Sequence, residues 1–241
     1  MIKLLLALLL LAGELGAACA SGTLRYYPMP GGTNVTENCF GDSLTLNGTI
    51  AAAAQACGLS STMAGPFGSV NTNYYSTDSD LWSAFEVLAG YSIEFYVYFS
   101  AAPNIDTLFR INGTPTATEA SVSSISADPA TVQFRQFNGG WSGVNTGAIL
   151  SVGVCYQIAV THNGTVGKIY VDGVEKGSAT FGAAITDVTS FNIGTDLGTG
   201  FDNGYLTNFR ISSVVRTVFP TLDPVNTVRG MKLRKVLRMK Q

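Results

Sequence analysis

Charge is scarce in this sequence. Asp, Glu, Lys and Arg make up only 12% of its 241 residues, about half the share of an average soluble domain. The surface must therefore be built of Ser, Thr, Asn and Gly rather than of ion pairs. Histidine is scarcer still. His162 is the only one, which excludes a multi-histidine metal site and leaves room for at most one Ser-His-Asp arrangement. The four cysteines, Cys19, Cys39, Cys57 and Cys155, form no C-x-x-C pair, so neither a structural zinc site nor a thioredoxin-type redox motif is supported. The apolar run Leu4–Ala12 falls well short of the roughly 20 residues a membrane-spanning helix needs.

What charge there is lies unevenly. Residues 1–228 carry 8 Lys and Arg against 16 acids, and residues 229–241 carry 6 basic residues and no acid. An acidic body with a basic tail argues against specific nucleic-acid binding by the body. The length suits one large all-β domain or two small ones, with enough chain to bury a core.

The N-terminus reads as an address label. Lys3, the short apolar run and the small residues of Ala18-Cys19-Ala20 fit a secretory signal peptide over residues 1–20, cleaved after Ala20. Residues 21–30, punctuated by Pro28 and Pro30, then read as a linker. Cys19 opens an alternative, a lipid anchor of the bacterial type, although the preceding triplet Gly16-Ala17-Ala18 lacks its usual Leu. Export implies an oxidising compartment, in which Cys39 and Cys57, 18 residues apart, are the expected disulfide. Such a loop is worth about 3 kcal/mol in the chain-entropy model. Cys155, inside the apolar run VGVCYQIAV, is then left as a buried thiol acting as a small hydrophobe.

From residue 85 onward the pattern is strand-like. SIEFYVYF (92–99), TVQFRQF (131–137), CYQIAVT (155–161), GKIYVDG (167–173), FNIG (191–194) and YLTNFRIS (205–212) are short, aromatic and β-branched, and several alternate. Asn-Gly or Asp-Gly steps at 47, 112, 138, 163, 172 and 203 supply the positive φ that tight hairpins need. One helical segment is predicted, IAAAAQAC (50–57), as a short turn pinned by Cys57. No internal repeat is visible. A single domain is expected over residues 31–222, followed by a tail over 223–241, and the fold class is an all-β, two-sheet antiparallel sandwich.

Three segments in order carry a family resemblance: SIEFYVYF (92–99), CYQIAVTHNGTVGKIYVDGVEKGSA (155–179) and FNIGTDLGTGFDNGYLTNFRISSVVR (191–216). Over roughly residues 66–220 the chain resembles the concanavalin A-like, laminin-G-like jelly rolls. That resemblance implies a jelly-roll fold and leaves function open, because the superfamily holds lectins, glycosidases, adhesion modules and virion parts.

Several side chains are candidates for chemistry. The superfamily's glycosidases are marked by E-x-D-x-x-E, whose alternation puts carboxylates on one strand face. Glu94 stands alone on its strand, and Glu86 has no partner at that spacing, so a glycoside hydrolase is disfavoured and a catalytic set is not expected. His162, in the turn THNGT, is expected to be solvated. The resemblance also implies a rim calcium site, for which Asp196, Asp202 and Asn203 are the candidates, with Asp78 and Asp80 as a second set. The family's closing motif has an Asp where this chain has Thr207-Asn208, which removes one charged ligand, and turn-capping is the competing role for these acids. Trp141, in FNGGWSG, is the foremost candidate for stacking on a sugar ring, ahead of Tyr74 and Tyr75. The sequons at Asn34, Asn47, Asn112 and Asn163 are mostly NGT steps that hairpin chemistry already explains.

In the tail, Leu233, Val236 and Leu237 would share one helical face opposite Arg234, Lys235 and Arg238, a peptide suited to an anionic surface. A disordered terminus is the plain alternative. The expected function is an exported, secreted or cell-surface module without catalysis, recognising a glycan or an extracellular protein through loops on the sandwich rim. The alternative is a self-assembling part of a virion, filament or surface array.

Overall fold

A computed structural model describes residues 23–29, 35–36, 43–53, 57, 63–67, 73–77, 90–103, 106–113, 119–125, 129–137, 140–181, 188–195 and 201–219. Every regular element among them is a strand: β1 (Thr23–Tyr27), β2 (Val35–Thr36), β3 (Ser43–Asn47), β4 (Ala52–Ala53), β5 (Met63–Ala64), β6 (Tyr74–Thr77), β7 (Tyr91–Phe99), β8 (Thr107–Gly113), β9 (Glu119–Ile125), β10 (Thr131–Phe137), β11 (Trp141–Asn145), β12 (Cys155–His162), β13 (Val166–Val171), β14 (Val174–Thr180), β15 (Val188–Ile193) and β16 (Gly204–Ser212). They form two antiparallel sheets. The first runs β14-β13-β12-β7-β16-β5-β4, with β1 also paired to β16, and the second runs β11-β10-β9-β8-β15-β6-β3-β2.

Alternation places the core. In β7, Ile93, Phe95, Val97 and Phe99 are fully buried in the main cluster, as are Phe209 and Ile211 of β16, Phe109 and Ile111 of β8, and Phe191 and Ile193 of β15. Their rings bridge the sheets. Phe95 stacks on Phe209 at 4.7 Å, and both meet Phe109 edge-on, geometries that aromatic pairs favour beyond the area they bury. Asp172 and Gly173 turn β13 into β14 with both residues at positive φ, as an Asp-Gly hairpin requires. Asn163 closes the preceding turn by accepting the Thr165 and Val166 N–H groups on its Oδ1.

Four expectations are corrected. Residues 23–27, read as linker, form β1 and pair with β16. Ala52 and Ala53, read as helix, form β4 and pair with Ala64 and Met63, so sheet pairing overrides the Ala propensity. Cys57 bridges Cys155 across 98 residues, with the Cα atoms 5.2 Å apart, and the expected Cys39–Cys57 bridge is therefore not formed; Cys39 itself lies outside the described residues. His162 is fully buried rather than solvated. It ends β12 before the turn begins, between Tyr91 and Phe181 at ring distances of 5.4 and 6.0 Å.

The outer face of the first sheet is covered around Ser92, Glu94 and Arg210. Beyond β16 the chain folds back across it, with the Ser92 hydroxyl donating to the Val214 carbonyl at 2.7 Å and accepting from the Arg216 N–H at 2.8 Å. Phe219 then lies 4.7 Å from Tyr170. Beneath this strap Glu94 and Arg210 form an ion pair with both side chains fully buried. Arg210 Nε donates to Glu94 Oε1 at 2.8 Å, and Arg216 Nε lies 3.6 Å from the same oxygen.

Candidate functional site

Strands β10 and β11 form an antiparallel ribbon at the free edge of the second sheet. Val132 and Phe134 point into the core, so Gln133, Arg135 and Phe137 lie on the outer face. Register pairs them with Asn145, Gly143 and Trp141 respectively. Trp141 is 49% exposed, whereas a Trp in a sandwich of this kind usually finds cover. Its indole is nonetheless held. The Arg135 guanidinium sits 4.7 Å from the ring centroid, and Phe137 meets it edge-on at 5.4 Å. A planar ring fixed on one side and open to water on the other can stack on an apolar ligand face.

The other candidates are not brought to this site. Asn203, part of the rim set, donates its Nδ2 to the Ala102 carbonyl at 3.2 Å, and its own carbonyl accepts the Ser100 N–H at 2.9 Å. Its amide thus clamps the loop after β7. Asp202 keeps one buried carboxylate oxygen without a hydrogen-bond partner among the described residues, while Asp196, Asp78 and Asp80 lie outside them. Among the described residues no group of three or more His, Cys, Asp or Glu side chains is placed to hold a metal. Tyr75 is buried in the core, where desolvation pushes its hydroxyl up to about 12, and it offers no platform. Tyr74, its half-buried neighbour, faces the other way.

Glu94 is held rather than poised for chemistry. Burial pushes its carboxyl above the ordinary value, against the pull of Arg210 and Arg216, but the oxygen nearest the guanidinium groups is already engaged. Glu86 lies outside the described residues. His162 accepts the Gly164 N–H on Nδ1 at 3.3 Å, which requires that nitrogen to be unprotonated. At three sequons the side-chain amides are engaged: Asn47 donates to Ser76 Oγ, Asn112 donates to Ser190 Oγ, and Asn163 accepts from its own turn. Gln133, Arg135, Gly143 and Asn145 were not singled out from sequence. The alternation of TVQFRQF marks the outer face, but only the strand pairing sets those residues beside Trp141.

Two antiparallel sheets packed on an aromatic core define a β-sandwich of the jelly-roll type. The chain belongs to the concanavalin A-like lectin/glucanases superfamily, whose laminin G model matches residues 68–218. No curated protein matches it in sequence. Among solved structures it is similar to domain 4 of AbnA, a GH43 extracellular arabinanase from Geobacillus stearothermophilus, in complex with arabinotriose, with 18% identity, a TM-score of 0.61, and coverage of 81% of this chain and 94% of that one. It is also similar to the binding domain of botulinum neurotoxin DC in complex with SialylT, with 11% identity, a TM-score of 0.61, and coverage of 90% of this chain and 52% of that one. The same toxin domain in complex with rat synaptotagmin II matches with 9% identity and a TM-score of 0.59, over 81% of this chain and 49% of that one. The chain thus spans about half of the toxin binding domain, and at these identities the likeness is one of fold.

Proposed function

We propose that this chain is an exported, non-catalytic module that binds carbohydrate, with Trp141 as the stacking residue. The observation that carries the reading is the exposed indole, fixed by Arg135 and Phe137 on a sheet edge. Membership of a lectin-bearing superfamily supports it, as do similar domains solved with arabinotriose and SialylT. The Cys57–Cys155 bridge favours an oxidising compartment, in keeping with a signal peptide cleaved after Ala20. A protein ligand is the second reading, since the toxin domain is also solved with synaptotagmin II.

The state of Glu94 supports the non-catalytic reading. Its partners two positions away along the strand face are Ser92 and Tyr96, so no second carboxylate stands beside it on β7, and a guanidinium occupies it. A calcium site at Asp196, Asp202 and Asn203 is the alternative that the chelator arm tests. The test is a glycan array probed with residues 21–228, in calcium and again in chelator. Binding that survives chelation and falls with Trp141→Ala is the expected result. Binding lost on chelation and indifferent to Trp141 would move the site to the rim loop, and no binding in either condition would overturn the carbohydrate reading.

A further inference from the structure

We infer that the site takes the interior of a sugar chain, at least two residues long, lying along the β10–β11 ribbon rather than a single terminal sugar; this rests on the carbohydrate-binding reading. Three cross-strand pairs make up the outer face: Phe137 with Trp141, Arg135 with Gly143, and Gln133 with Asn145. Successive pairs lie two residues apart, so the floor from Trp141 to Asn145 extends about 13–14 Å. That exceeds one sugar ring and suits two to three.

The middle of this floor is low because position 143 is glycine, and the Arg135 stem and the Gln133 amide lie across it. No positive φ requires glycine there. A side chain would displace both neighbours, since a Cβ at 143 would lie 3.0 Å from Gln133 Nε2 and 3.1 Å from Arg135 Cγ. Glycine in a strand interior marks such a close approach. Gln133 is half-buried, and its amide has no hydrogen-bond partner among the described residues. Asn145 spends its Oδ1 on the Gly147 N–H at 3.1 Å and keeps its Nδ2 donors for a ligand. An aromatic ring, the aliphatic stem of Arg135 and two neutral amides in line match a chain of alternating apolar ring faces and hydroxyl groups. A charged ligand would not need the amide end.

The test uses α-arabino-, xylo- and gluco-oligosaccharides of one to six residues, titrated calorimetrically against the full chain and against Trp141→Ala, Gly143→Val and Gln133→Ala. For the backbone that binds, affinity should rise at least ten-fold from one residue to three and then level off. Gln133→Ala should weaken the trisaccharide about three- to ten-fold and leave the monosaccharide unchanged. Gly143→Val should reduce the trisaccharide to the monosaccharide's affinity, and Trp141→Ala should weaken every length at least about ten-fold. Thermal melting separates loss of site from loss of fold, and Gln133→Ala, which adds no bulk, stands should Gly143→Val misfold. A monosaccharide binding as tightly as the trisaccharide, or Gln133→Ala binding like wild type while Trp141→Ala does not, overturns the extended site and leaves the Trp141 platform. Absence of binding at every length and backbone overturns both.

Discussion

Replacing Arg210 with Met gives the sharpest test of how the first sheet is closed. Arg210 is one of the largest fully buried side chains among the described residues, and its guanidinium donates through Nε and Nη2 to Glu94 Oε1. Removing it strands a carboxylate with only the more distant Arg216 for company. Breaking a buried pair from one side costs about 3–5 kcal/mol, whereas exchanging both partners for apolar groups of similar volume is near neutral or stabilising. For a domain of this size that single loss lowers Tm by about 6–20 °C, and Glu94→Leu with Arg210→Met should recover most of it. The pH dependence has a definite sign. Burial already holds the Glu94 carboxyl above its ordinary value, so its contribution to stability is fully present below the unfolded carboxyl's pKa. That contribution is lost as pH rises through the raised folded value. Arg210→Met should accordingly be least destabilised in acid and lose stability towards neutrality, more steeply than wild type. Urea unfolding at pH 5 and pH 7 measures both effects. A single variant as stable as wild type, or a double variant no better than the single one, would refute the paired-charge reasoning.

Three further outcomes are expected. Cys57→Ser should cost about 4–5 kcal/mol, the chain-entropy value for a loop near 100 residues; non-reducing peptide mapping should recover Cys57 linked to Cys155, and a Cys39–Cys57 peptide would refute the pairing. Gly194→Ala should destabilise by more than about 2 kcal/mol in thermal melts, because φ is +88° there and a Cβ would meet Phe67 Cδ1 at 2.2 Å. Phe219→Ala should cost about 1–3 kcal/mol by exposing Tyr170 and Ala159 and should open the strap to limited proteolysis near Val214, while a cleavage pattern like that of wild type would deny the strap its anchor.

The two-sheet sandwich was legible because its cause is local. Alternation in SIEFYVYF and TVQFRQF separates core from surface residue by residue, and the Asp172-Gly173 turn needs only positive φ. What stayed hidden depends on pairings between distant strands. Cys39 is the nearer neighbour of Cys57 along the chain, yet Cys155 starts a strand beside Tyr98, and the sheet brings it within bridging distance. His162 looked like part of a turn because the turn residues follow it at once; one position earlier along the ladder its ring belongs to the strand and is buried between two aromatics.

Glu94 shows the same limit in its strongest form. A lone acid on a strand carries no local sign of a buried partner. Its partner lies 116 residues away, and both are buried because the chain beyond β16 recrosses the face they occupy. That closure divides the molecule's two outer faces. The strap and the ion pair take up the β7–β16 part of the first sheet, whereas the edge ribbon of the second keeps an aromatic ring and neutral amides in contact with water. A protein with so little charge to spend has placed a buried pair where it fixes a covering segment and has left hydrogen-bonding groups where a hydroxyl-rich ligand would meet them.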